Sequence, residues 1–236
     1  MLREELIKRS PIRIFEKTIH GGIGKGNLGV FTGRKGVGKT ACLVHLAVDK
    51  LLSEKKVLHI SFSEDPHHIE KWYEQTFKEI AKAYKLDNVL HNHDQIISNR
   101  LIMNYKPDYN NLKKTIKSIN NFLKDADFYP DIIIIDGFSF ENASEKNFTL
   151  WKEFAKDLKI PLWFSATLHR ENLKFDDKGI PAPVNKFQSI FTVIIMLLPQ
   201  KNHIDLSLLK DHHAKKIDPL QLKLDPETLL IANHRV

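Results

Sequence analysis

Residues 33–40 read Gly33-Arg34-Lys35-Gly36-Val37-Gly38-Lys39-Thr40, a full G-x-x-x-x-G-K-[ST] pattern. The chemistry of that pattern is the holding of phosphate. Small residues let successive backbone N–H groups turn toward an anion, and a helix that starts at the end of the loop adds the positive end of its dipole. In this arrangement Lys39 reaches the β- and γ-phosphates and the Thr40 hydroxyl binds Mg²⁺. The spacing predicts a nucleoside triphosphate held by Gly33, Arg34, Lys35, Gly36, Val37, Gly38, Lys39, Thr40 and the following Ala41. A second group belongs to the same chemistry. Asp131-Ile-Ile-Ile-Ile-Asp136 reads as a buried strand that ends in a carboxylate. A buried aspartate is costly unless it meets a cation, and beside a phosphate loop the usual partner is the Mg²⁺ hydration shell. Thr40 and Asp136 are therefore the expected metal residues, with a turn or helix-cap aspartate as the plainer alternative.

The elements needed to position these groups are legible around them. Leu28-Gly-Val-Phe-Thr32 enters the loop as a buried strand would, and Ala41-Cys-Leu-Val-His-Leu-Ala-Val48 leaves it with the apolar content of a helix. Lys56–Ser61 is a second expected strand, ending at Ser63-Glu64-Asp65-Pro66. An amphipathic helix follows with Ile69, Trp72, Tyr73, Phe77, Ile80 and Tyr84 at helical spacing, read as core or subunit contact rather than as a base-stacking platform. A polar turn (88–99), a short strand near 101–105 and a lysine-rich helix over 109–125 lead to the Asp136 strand. Ile160–Ser165 is a further strand, followed by Ala166-Thr-Leu-His-Arg170. The stretch from Ile190 to Ile231 carries three or four strand-like runs, expected as antiparallel additions. Alternating strands and helices predict an α/β fold, a mainly parallel twisted sheet flanked by helices with antiparallel C-terminal strands.

Length and composition set bounds. At 236 residues the chain fits one domain with a sizeable core, expected over 1–236 with residues 1–20 as an N-terminal arm available for a subunit contact. Hydrophobic content of 42% and charged content of 28% are ordinary for a globular protein. No run approaches the roughly 20 apolar residues of a membrane span, and the charged N-terminus lacks the apolar core of a signal peptide. The single cysteine, Cys42, excludes an internal disulfide, suits a reducing cytoplasm and is expected in the core. The net charge of +7 permits an acidic partner. Its basic residues gather in the N-terminal arm (Arg3, Lys8, Arg9, Arg13, Lys17) and on the middle helix (Lys113, Lys114, Lys117, Lys124), where solvated faces are the plain reading. The histidine pairs His67-His68, His91/His93 and His212-His213 lack a matching cysteine or carboxylate set at ligand spacing, so no zinc site is expected.

Taken together the motifs resemble the RecA-like ATPases, in the branch that holds KaiC-type clock proteins, RadA-type proteins and DnaB-type replicative helicases. Gly21-Gly-Ile-Gly-Lys-Gly26 is similar to that branch's glycine lead-in. Val57–Pro66 is similar to its second strand, and Ala166–Arg170 to its S-Q-L-N-R segment. Leu208-Leu-Lys-Asp-His212 with Leu222–Leu229 resembles its K-x-R segment and closing hairpin. The resemblance spans roughly residues 14–232 and implies an oligomer, hexameric in some members, that binds ATP and Mg²⁺ at subunit boundaries. It also implies roles. A glutamate at the end of the second strand activates water; here Ser63 stands at that position and Glu64 follows, so Glu64 is the candidate base. Lys210 matches the lysine that acts on a neighbour's phosphates, while His212 replaces the arginine, without the bidentate fork. Thr167 falls where helicases carry a phosphate-sensing glutamine.

Three functions follow from the resemblance: a weak ATPase acting on a protein partner, an ATP-binding switch with little turnover, and a DNA-acting motor. Ser63 and His212 favour the switch. The motor needs basic or aromatic loops for single strands, yet the loops 137–152 and 171–186 each balance acidic against basic residues. Neutral loops supply little of the phosphate neutralisation that drives nucleic-acid affinity, so nucleic acid is disfavoured as a partner.

Overall fold

The computed structural model describes residues 10–63, 65–84, 93–168, 173–214 and 216–233. Nine strands form one sheet: β1 (Leu28–Arg34), β2 (Val57–Ser61), β3 (Arg100–Asn104), β4 (Ile132–Asp136), β5 (Leu162–Leu168), β6 (Val193–Pro199), β7 (Ile204–Asp211), β8 (Leu222–Leu224) and β9 (Ile231–Asn233). Their spatial order is β3-β2-β4-β5-β1-β6-β7-β8-β9. The first six in that order are parallel, and β7, β8 and β9 continue antiparallel. The expected α/β architecture is observed, a P-loop NTPase fold. The antiparallel part begins one strand later than the sequence suggests, because β6 crosses over to lie parallel beside β1.

Helices cover both faces, which is why the central strands read as unbroken apolar runs. Alternate residues of each strand go to opposite sides. Phe31, Ile132, Ile134 and Ile195 join one core with α1 (Pro11–Thr18), α2 (Lys39–Leu52), α3 (Pro66–Tyr84) and the short α4 (His93–Ile97). Val30, Ile133, Ile135 and Ile194 join the other with α5 (Leu112–Asp125) and α6 (Glu145–Leu158). In α3, Ile69, Tyr73, Phe77 and Ile80 are buried as expected, whereas Trp72 is half-buried at the edge of the stripe. Cys42 is fully buried, and burial holds its thiol in the neutral form by raising its pKa.

The described part of the N-terminal segment differs from a free arm. Ser10 caps α1 by accepting from the Ile12 amide at 3.2 Å and donates to Asp49 Oδ1 at 2.6 Å. Arg13, read from the sequence as one of the arm's solvated basic residues, also bonds Asp49, and Lys50 bonds Glu16, so α1 is clamped to α2 by charge pairs. Its apolar side buries Ile12, Phe15 and Ile19, with Phe15 stacked 6.1 Å from Phe31 and 5.5 Å from Trp163. Trp163 in turn lies flat across Gly29, where a Cβ would come within 2.7 Å of the indole. Residues 1–9, including Arg3, Lys8 and Arg9, lie outside the described residues. No described helix is long and apolar enough to cross a membrane.

Candidate nucleotide site

The phosphate motif spans the turn from β1 into α2. Gly36 and Gly38 hold φ of 79° and 97°, backbone that L side chains rarely adopt. Gly38 is also the N-cap of α2 with no side-chain cap, which leaves the helix N-terminus open to an anion. A Cβ on Gly38 would meet Leu224 of β8 at 2.3 Å, and one on Gly33 would meet Val37 at 2.8 Å and the Leu197 carbonyl of β6 at 3.2 Å. Backbone φ favours glycine at Gly36 and Gly38, and the Leu197 carbonyl crowds the position at Gly33.

Lys39 is only 7% exposed. Its Nζ donates to the carbonyls of Gly33 at 3.1 Å and Arg34 at 2.8 Å. Burial lowers its pKa to about 8, an effect the nearby Asp136 charge partly opposes. Thr40 Oγ1 donates to Asp136 Oδ2 at 2.8 Å, and Ser165 Oγ donates to Asp136 Oδ1 while accepting from the Gly137 amide at 3.1 Å. Asp136 is thus a nearly buried carboxylate whose two oxygens accept from hydroxyls; among the described residues no lysine or arginine pairs with it. An uncompensated carboxylate beside a hydroxyl and a glycine loop fits Mg²⁺, which takes one or two protein oxygens and leaves its other positions to phosphate and water.

These groups floor a cleft of about 700 Å³, a volume suited to a nucleotide. Lys35, Gly36, Gly38, Lys39, Thr40, Asp136 and Thr167, all singled out in the sequence, line it. Gly33 lies within β1, Arg34 ends that strand facing solvent, and Val37 and Ala41 pack inward; these four support the loop rather than face the cleft. Glu64 lies outside the described residues; its neighbour Ser63 lines the cleft and sits over Gly137, where a Cβ would fall 2.2 Å from Ser63 Oγ. Lys210 is elsewhere. It lies on β7 level with Ile194 of β6, and its Nζ donates to the carbonyls of Gln188 at 2.5 Å and Phe191 at 2.6 Å. Burial lowers its pKa, with Lys178 adding to the effect.

The structure adds residues the sequence reading missed. Ser165 holds Asp136 from β5; that it could do so follows only from β5 lying between β1 and β4. His68 and Trp72 reach the cleft from the exposed border of α3, their rings edge-on at 6.4 Å. Leu229 closes the cleft from the turn between β8 and β9, and Glu141 enters from the segment after Asp136. That segment, expected as a loop, is anchored by Phe138, 6.1 Å from Trp151, and Phe140, 4.6 Å from Phe148.

A family model described as an AAA domain matches residues 3–158, which take in the phosphate loop, Ser63 and Asp136. No curated protein matches the chain. The match covers well over half of the sequence and contains the geometry just described, and on that basis the chain belongs to the AAA-domain family of P-loop ATPases.

Proposed function

We propose that the protein is a Mg²⁺-dependent ATPase of the KaiC/RecA-like kind, cytoplasmic, with nucleotide sites at the boundaries of a homo-oligomer and a protein partner as its load. The observation that carries the ATPase reading is the Thr40–Asp136–Ser165 arrangement beneath the glycine loop, a metal-ready carboxylate within reach of Lys39. In this reading the N-terminus of α2 and Lys39 hold the phosphates, which requires Lys39 to exchange the Gly33 and Arg34 carbonyls for phosphate oxygens. Mg²⁺ would supply neutralisation of the charge that develops on the transferred phosphoryl group. Thr40 and Asp136 hold that ion, Ser165 orients the carboxylate, and Thr167 faces the cleft as a hydrogen-bond donor. Glu64 is the proposed base, and Glu141 is the carboxylate on the cleft wall that stands as its alternative. Lys210 is the proposed lysine for a neighbour's phosphates. It sits on β7, two strands from β1, and must release two carbonyls to act.

A non-hydrolysing switch is the second reading, favoured by Ser63, a poor base, at the end of β2. The DNA-acting motor has less support, since the segments 137–152 and 171–186 that would have to hold a strand each balance acidic against basic residues.

Turnover of ATP with Mg²⁺, with and without single-stranded DNA, separates these readings. The expected outcome is slow turnover indifferent to DNA, lost in Lys39→Ala and reduced at least a hundredfold in either Glu64→Gln or Glu141→Gln. ATP binding without turnover, unchanged in both glutamine variants, makes the protein a switch. Strong stimulation by DNA restores the motor.

A further inference from the structure

Away from the nucleotide cleft, two segments far apart in sequence bring three metal-ligating side chains together. His20 lies in the turn after α1, Asp211 is the last residue of β7, and His212 follows it. His20 Nδ1 lies 2.7 Å from Asp211 Oδ2, and His212 Nδ1 lies 2.6 Å from Asp211 Oδ1. One ligand atom from each residue falls within 4.8 Å of the other two. We propose that His20, Asp211 and His212 bind a divalent transition-metal ion of the Zn²⁺ class, distinct from the Mg²⁺ of the nucleotide site.

The burial of the three residues is that of a site with an open side. The Asp211 side chain is 3% exposed, His212 31% and His20 67%. A carboxylate that deep is costly without a cation beside it, and among the described residues the side chains bonded to it are the two imidazoles of His20 and His212. Each Nδ1–oxygen line is occupied by at most a proton. One dication in place of those protons would neutralise the buried charge. With metal–ligand distances near 2.0–2.2 Å, adjacent ligand atoms of a tetrahedral site are spaced by roughly 3.3 Å. The two nitrogen–oxygen gaps, which run to different oxygens of Asp211, open by some tenths of an ångström in such a site, with the exposed His20 ring as the side chain free to move.

The donor set names the metal class. Two imidazole nitrogens and one carboxylate oxygen suit Zn²⁺ and its first-row neighbours, whereas Mg²⁺ prefers oxygen alone. Three protein ligands leave a fourth position to water or another exchangeable ligand. Both segments are fixed by backbone bonds: the His20 amide donates to Lys17 at 3.3 Å, and the His212 amide to Thr192 at 2.7 Å. Both histidines hold left-handed backbone, φ 55° and 49°, uncommon away from glycine. The site is remote from the phosphates. Thr192 also donates to Leu28, the first residue of β1, while the glycine loop leaves the other end of that strand. The separation is about 20 Å along the strand.

The full chain, stripped with chelator and free of nucleotide, is titrated with Zn²⁺ and with Co²⁺ as a visible-absorbing substitute. The expected result is one tightly bound equivalent, a Co²⁺ absorption band and a melting temperature raised by Zn²⁺. His20→Ala and His212→Ala should each weaken binding by at least tenfold and abolish the Co²⁺ band, while His67→Ala, on an exposed helix face, keeps both. ATP binding by each variant confirms that it is folded, and the exposed His20 decides the matter if His212→Ala does not fold. No tight Zn²⁺ binding by the wild-type chain, or an equivalent that survives in His20→Ala, overturns the proposal.

Discussion

Lys39 shows how a single residue is tuned by its surroundings. Burial depresses its pKa to about 8, so the free protein holds a charged ammonium below that pH and loses it above. A bound triphosphate favours the charged form, so nucleotide binding above pH 8 takes up a proton. ATP affinity is therefore expected to be flat from pH 6 to 7.5 and to fall above pH 8, by no more than about tenfold per pH unit. Calorimetric titrations at pH 7 and 9, in buffers of different ionisation enthalpy, would show both the weaker binding and the proton uptake; unchanged affinity at pH 9 would refute the assignment. Lys39, Thr40 and Asp136 could be read from the sequence because the phosphate pattern is local and its spacing has a mechanism. Ser165 and Trp72 could not. A serine in a strand and a tryptophan in an amphipathic stripe carry no local mark, and their roles depend on which strand lies beside which.

At the scale of the elements, β1 and β5 are the frame on which the site hangs. Gly29 of β1 pairs with Trp163 of β5, and the indole fills the space where a side chain would stand. Gly29→Ala places a Cβ 2.7 Å from that ring and should destabilise the fold by about 1–3 kcal/mol, seen as a lowered denaturation midpoint at unchanged slope. Glycine in a strand normally weakens it. Here it permits the Phe15–Trp163–Phe31 stack that seats α1. Helix α1 lies in the expected arm and α6 (Glu145–Leu158) overlaps the expected loop 137–152, whereas the strands, and helices α2, α3 and α5, were legible from apolar runs and helical spacing. Their spatial order was not, since β5 inserts between β1 and β4 and β6 runs parallel to β1 only through long-range pairing. The cluster of His20 with Asp211 and His212 was hidden for the same reason, because His20 lies 191 residues from Asp211 and meets it only through the folded sheet.

Over the whole molecule, the first and last described elements, α1 and β9, close against the helix that follows the phosphate loop. α1 bonds Asp49 of α2, and the Ile231 amide of β9 donates to His45 Nδ1 of the same helix at 2.8 Å. His45 is fully buried, and desolvation lowers its pKa to about 4. The unfolded chain, at the ordinary value near 6.5, binds the proton first. Stability from this group is therefore complete above pH 6.5 and is lost progressively as the pH falls toward 4, by an order of a few kcal/mol. Protonation also turns the acceptor into a donor and breaks the bond to Ile231. Hydrogen exchange at that amide, corrected for its intrinsic rate, should accelerate across this range, and a His45→Gln chain should show no such step. A rate that ignores pH from 7 to 4.5 would contradict it. The sheet order has a practical corollary for anyone cutting the gene. The family match ends at residue 158, before β5, yet β5 is the strand that joins β1 to β4, and Leu197 and Leu224 beyond it pack on the glycine loop. A fragment trimmed to the matched residues would keep every letter of the phosphate motif and Asp136. It would also leave those two strands without the neighbour they share, so the smallest expressible nucleotide-binding unit extends to the last strand.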